Sequence, residues 1–101
     1  MKRVPYRNKS LLQAAEGEEC TIHSPLCTYR TEETVAAHYD DHWAGKGRGQ
    51  KADDFAIVFA CSACHMLIGG LLEFEGFNKE FYLRRGNYRT IRRLIDRGLL
   101  K

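Results

Sequence analysis

The sequence predicts a small α+β domain built on a structural zinc, closing with a long C-terminal helix. Three observations predict it. The chain carries four cysteines in two pairs, Cys20 with Cys27 and Cys61 with Cys64, the ligand count of a closed tetrahedral zinc site. An apolar run at residues 55–60 leads into the Cys61-x-x-Cys64 pair, and Met66, Leu67 and Ile68 lead out of it. That order reads as strand, metal turn, helix. From Asn78 onward the residues repeat at helical spacing until Gly98. With 101 residues the chain is long enough for one domain and not two, and a core of that size benefits from a metal.

The elements follow in order. Residues 1–9 are basic and are expected as a loose N-terminal arm, with a single domain over residues 10–101. Ser10 with Gln13 has the form of a capping box for a short helix over residues 11–16, and Gly17 can stop it. Six residues separate Cys20 from Cys27, wider than a two-residue knuckle, and Pro25 forces a turn between them. Residues 34–38 read as a short strand with His38 near its end. The following loop holds Asp40, Asp41, His42 and Trp43, then Gly45, Gly47 and Gly49 alternating with Lys46, Arg48 and Lys51. Bare backbone beside cations approaches a phosphate closely. Asp53 and Asp54 precede the second strand, where a carboxylate serves either a hard metal or a turn. Gly69-Gly70 keeps the helix after His65 short. The last helix is expected from an Asn78 cap to about Arg97, with Phe81, Tyr88, Ile91 and Ile95 on one face and Gly86 as a weak point.

Composition narrows the function classes. Hydrophobic residues at 44% and charged residues at 29% fit a soluble globular protein. No apolar run approaches the roughly 18 residues of a membrane span. The N-terminus has no apolar segment of a secretory signal, so a cytoplasmic location with reduced thiols is expected. Net charge is only +3, so a nucleic-acid partner has to be argued from where the charge sits. Arg84, Arg85, Arg89, Arg92, Arg93 and Arg97 fall within fourteen residues with Asp96 the one acid among them. A run of one sign made of arginine favours phosphate contact over a merely solvated face.

The cysteines and histidines carry the candidate chemistry. A four-thiolate zinc would hold the fold and leave no open position for a reaction. Cys61-x-x-Cys64-His65 also has the form of a haem attachment site, but that reading strands Cys20 and Cys27 and needs export. A redox dithiol is a further alternative that the adjoining second pair makes less apt. His38 on a strand and His65 on a helix could face each other across one divalent ion and one water, His38 taking the proton and His65 holding the ion. The bland alternative is that each imidazole satisfies a local backbone group. His23 and His42 fit that bland reading better.

These residues resemble the YbcO-like family of small phage and prophage proteins, described as nucleases. The likeness runs from about Leu11 to Leu100. It rests on Ala14-Ala15-Glu16-Gly17-Glu18-Glu19-Cys20, on Cys27, on Ala37-His38, on Gly47-x-Gly49-x-Lys51 into Asp53-Asp54, and on Ala60-Cys61-Ser62-Ala63-Cys64-His65. More distantly, the order is similar to HNH (ββα-metal) endonucleases on a treble-clef zinc scaffold. The resemblance implies His38 as general base, His65 as ligand of a catalytic magnesium or manganese, and Asp54 nearest to the middle position of the motif. It departs from many HNH enzymes at Ala37, where an acid commonly precedes the strand histidine. The expected function is metal-dependent cleavage of phosphodiester bonds in DNA, with Lys46, Arg48, Lys51 and the helix arginines on the nucleic acid. The competing class is a non-catalytic zinc module that binds nucleic acid or another phage protein.

Overall fold

The computed structural model describes residues 4–38 and 52–100. Their elements run α1 (Lys9–Gln13), a 3-10 turn (Thr31–Glu33), β1 (Val35–His38), β2 (Ile57–Ala60), α2 (Ser62–Ile68) and α3 (Lys79–Asp96). β1 and β2 pair antiparallel, with Val35 opposite Ala60 and His38 opposite Ile57. Among the described residues no helix is long and apolar enough to cross a membrane.

β2 is the centre of the molecule, and all four of its residues are buried. Successive strand residues point to opposite faces, so Ile-Val-Phe-Ala serves two cores at once. Ile57 and Phe59 pack with Leu11, Ala14, Ala15 and Leu94. Val58 and Ala60 pack with Cys20, Ile22, Cys61, Cys64, Ile68 and Leu83. One strand edge is satisfied by β1, and the other has to find partners because buried backbone groups left unpaired are costly. The Thr21 backbone N–H donates to Phe59 O at 2.8 Å, and the other partners are side chains. Thr21 Oγ1 donates to Phe59 O at 3.1 Å, and Phe59 N donates to Thr21 Oγ1 at 3.0 Å and to Thr90 Oγ1 at 3.3 Å. Asn87 Nδ2 donates to Phe55 O at 3.1 Å and to Ile57 O at 2.9 Å.

This edge explains why α3 turns a different face inward from the one its hydrophobicity suggests. The expected apolar stripe fails: Phe81 is 50%, Tyr88 74% and Ile95 46% exposed. The buried positions are Leu83, Gly86, Thr90 and Leu94. Polar Thr90 and Asn87 face the strand because they close its hydrogen bonds. Gly86 faces it because there is no room: a Cβ there would lie 3.0 Å from Val58 Cγ1 and 3.5 Å from Thr21 O. The helix ends stand where the sequence sets them, with Asn78 Oδ1 accepting from Phe81 N at 3.1 Å and Gly98 adopting φ +74° just beyond.

At the N-terminus the structure corrects two expectations. Asn8 caps α1, its Oδ1 accepting from Ser10 N at 3.1 Å, and Ser10 Oγ bonds the same oxygen at 2.6 Å instead of capping. Residues 6–8 are also not loose. Tyr6 N donates to Asp53 Oδ1 at 2.9 Å, Asn8 N to Asp54 Oδ2 at 2.7 Å, and Asp54 N to Tyr6 O at 3.0 Å. Two buried carboxylates need donors, and the incoming chain supplies them.

Gly86→Val should lower stability by about 2 kcal/mol, the range for overpacking a filled core. Helix propensity alone points the other way, because glycine is the poorer helix former. Thermal melts of the two proteins check this; an unchanged or higher midpoint would mean that the contact between α3 and β2 has slack.

Candidate functional site

The four cysteines come together. Cys20, Cys27, Cys61 and Cys64 are all free thiols whose sulfurs lie within 4.8 Å of one another. Two sulfurs held by one tetrahedral ion at the zinc–thiolate distance sit about 3.8 Å apart, and Cys27 Sγ and Cys61 Sγ are 3.8 Å apart. The first pair rides a turn in which His23 adopts φ +49°, a left-handed conformation that histidine tolerates better than most residues. Ser24 Oγ meets Cys64 Sγ at 3.0 Å and accepts from Leu26 N at 3.2 Å, which stitches the two pairs together. In the second pair Cys61 is the N-cap of α2, and its sulfur accepts from Cys64 N at 3.5 Å.

The charges in this cluster conflict without a cation. A hydrogen bond from the Cys64 thiol drives Cys20 down to about 4 against the opposing effect of burial. The same bond, helped by burial, pushes Cys64 up. Burial pushes Cys27 up to about 12. Four thiolates packed this closely ionise together only around a positive ion. The donor set therefore fits a structural metal, and with four sulfurs the site is closed to water.

A second centre lies at the far end of β1. His38 and His65 line one cleft of about 330 Å³ together with Lys79, and Ala36, Ala37, Ile68 and Leu83 supply apolar walls. The hairpin register and the short helix after Cys64 bring the two imidazoles to one opening. His38 is half-buried, and its Nε2 lies 2.9 Å from Asp54 Oδ1. Asp54 is 4% exposed. Burial would raise its carboxyl, but the His38 hydrogen bond, the Asn8 N–H and the nearby Arg7 guanidinium outweigh it and hold it below the usual aspartate range. Asp54 thus stays a carboxylate and can only accept, so the hydrogen bond between them is donated by His38 Nε2–H.

Among the described residues only the cysteines bring three or more such donors within 4.8 Å of one another. His65 is exposed in the cleft, while Asp54 is committed to His38. Lys46, Arg48 and Lys51 lie outside the described residues. Sequence reasoning passed over Lys79; the one signal that could have found it is the Asn78 cap, which makes it the first residue of α3.

The arginines expected on phosphate all have partners in the chain. Arg85, Arg89, Arg93 and Arg97 recur at every fourth position and so share one flank of α3. They grip residues 14–23, which run antiparallel to the helix. Arg97 Nη1 donates to Ala14 O at 2.9 Å, and Arg93 to Glu18 Oε1 at 2.9 Å and Glu19 O at 3.3 Å. Arg89 reaches Thr21 O at 3.5 Å and His23 Nδ1 at 3.3 Å, and Arg85 reaches Ile22 O at 2.9 Å. The remaining two face outward, Arg84 paired with Glu80 and Arg92 with Asp96 at 3.2 Å.

The cysteine cluster carries a direct test. Elemental analysis should find one tightly held metal per chain, and Cys64→Ser should lose both that metal and most of the cooperative melt, because binding energy at such a site is folding energy. Metal-free protein with an unaltered melt would overturn the assignment.

Known proteins resemble this chain. The chain matches, over residues 9–99, the family model described as "Putative nuclease YbcO". It is 36% identical over 95 residues to a protein of that name from Escherichia coli K12, covering 90% of this chain and 96% of the relative. A protein of the same name from Enterobacteria phage 82 matches to the same extent. Among solved structures, one titled as that of a putative bacteriophage protein from Escherichia coli K-12 superposes with a TM-score of 0.64 at 26% identity, over 86% of this chain and 98% of the other. With nearly its whole length matched by that model and those relatives, this chain belongs to the YbcO family.

Proposed function

We propose that this protein is a nuclease that hydrolyses phosphodiester bonds in DNA, an HNH-type endonuclease on a treble-clef scaffold with zinc on its four cysteines. The observation that carries the reading is the His38–Asp54 pair at 2.9 Å, in the cleft that His65 shares. Membership of a family whose model is described as a nuclease supports it.

Hydrolysis needs water to lose a proton as it attacks phosphorus, and an imidazole exchanges protons near neutral pH. Asp54 fixes the His38 ring and its tautomer. His38 Nδ1 takes the proton of the attacking water, and the imidazolium that results stands against the Asp54 carboxylate, which stabilises it. We therefore read Asp54 as a positioning residue, where the sequence left it open between a metal ligand and a turn. In the cleft, His65 would offer one nitrogen to a divalent ion such as magnesium or manganese. Such an ion would supply Lewis-acid stabilisation of the phosphoryl oxygens. Arg84 and Arg92, exposed on the outer side of α3, are the helix arginines best placed to exchange their acidic partners for phosphate. Arg85, Arg89 and Arg93 serve the fold first.

His38→Ala should keep the fold and the cysteine-bound metal yet lose cleavage by on the order of a hundredfold or more. His65→Ala should lose activity in a way that added manganese partly restores. The measurement is cleavage of duplex, branched and single-stranded DNA with and without magnesium. Equal activity of His38→Ala and wild type would sink the assignment, and no cleavage by wild type would favour a binding module.

Acid stability checks the pair separately. A carboxyl held below its usual range contributes stability that is present above the unfolded value near 4 and is lost as pH falls through its folded value. Asp54→Asn should therefore flatten the fall in stability below about pH 4, where Asp54 leaves His38 and Arg7. A wild-type curve with the same acid slope as the variant would contradict it.

A further inference from the structure

α3 and its C-cap carry seven basic residues, Lys79 and the six arginines. The arginines are each engaged by a carboxylate or a backbone carbonyl of the chain. Lys79 differs on both counts. Among the described residues no carboxylate pairs with it, and it lines the cleft that holds His38 and His65. Among the described residues no acid lines that cleft.

Its position is built. Asn78 caps the helix and so sets Lys79 at the start of the first turn. Phe77 stacks on Tyr82 with ring centroids 5.0 Å apart, and Leu83 is buried in the core, which pins the same turn from both sides. An ammonium group offers a compact charge and three donors.

We infer that Lys79 supplies the positive charge that meets the scissile phosphodiester in the His38–His65 cleft. The inference rests on the nuclease reading and deepens it. Attack on a phosphodiester builds negative charge on the non-bridging oxygens, and a preset cation lowers the energy of that arrangement more than that of the ground state. His38 would take the proton of the water, while Lys79 faces the charge that develops on the other partner of the bond being made.

The test compares Lys79→Ala and Lys79→Arg, each alone and combined with His38→Ala. The His38→Ala proteins report binding of a duplex oligonucleotide over a salt series without cleavage. Lys79→Ala should make the slope of log affinity against log salt shallower by about 0.9, the value of one phosphate contact. In the proteins that retain His38 it should lower kcat/KM tenfold or more, with Lys79→Arg restoring most of both. Melting curves should match wild type, since the residue is exposed. An unchanged salt slope overturns the inference, as does unchanged kcat/KM or an absence of measurable DNA binding. Should His38→Ala abolish cleavage while Lys79→Ala alters neither slope nor rate, the nuclease reading stands and this inference falls. Should wild type cut no DNA, the nuclease reading falls, and the salt slope alone decides whether Lys79 contacts phosphate.

Discussion

A four-residue strand closed on all sides constrains everything else in this molecule. β2 is covered on both faces, paired with β1 on one edge, and sealed on the other by Thr21, Asn87 and Thr90. A buried edge cannot borrow water, so its partners have to arrive with the chain. Thr90 and Asn87 bring α3 against the strand, and Gly86 allows the approach. Thr21 brings the segment that enters the first cysteine pair. The two histidines inherit their places from the same arrangement, since His38 stands opposite Ile57 at one end of β2 and His65 follows Cys64 beyond the other.

Much of this was legible in the residues. The cysteine pairing, the order of strand, turn and helix around Cys61 and Cys64, and the limits of α3 at Asn78 and Gly98 all depend on local chemistry, and local chemistry is written in adjacent letters. The meeting of His38 and His65 in one cleft follows from the same order. What could not be read was the identity of long-range partners. Thr90 and Asn87 look like surface residues until the strand edge they serve is known, so the apolar letters of α3 pointed to the wrong face. A row of arginines does not show in the sequence that four of its members, Arg85, Arg89, Arg93 and Arg97, reach carbonyls of residues 14–22. Asp54 looked as apt for a metal as for a turn, and instead holds an imidazole 16 positions away.

The two centres divide the work within one short stretch. Cys61 and Cys64 begin α2 and contribute to a closed cluster that can hold the fold but has no place for a reactant. His65, the next residue, faces the cleft instead. An ion held by that cluster would anchor the start of α2 and with it the backbone that presents His65.

The grip of α3 on residues 14–22 is asymmetric. On the helix side it needs the planar, forked guanidinium, which lysine does not reproduce. On the other side half of the acceptors are backbone carbonyls, those of Ala14, Glu19, Thr21 and Ile22, and the rest are side-chain atoms of Glu18, Glu19 and His23. A carbonyl is present whatever the side chain. The bonds to those carbonyls therefore make no demand of their own on the side chains of residues 14–22, which the core, the cysteine cluster and the Glu18 and Glu19 ion pairs constrain separately, while the four guanidinium positions tolerate almost no change. In this part of the chain, basic residues that drift little would record an architectural debt and would say nothing about a nucleic-acid partner.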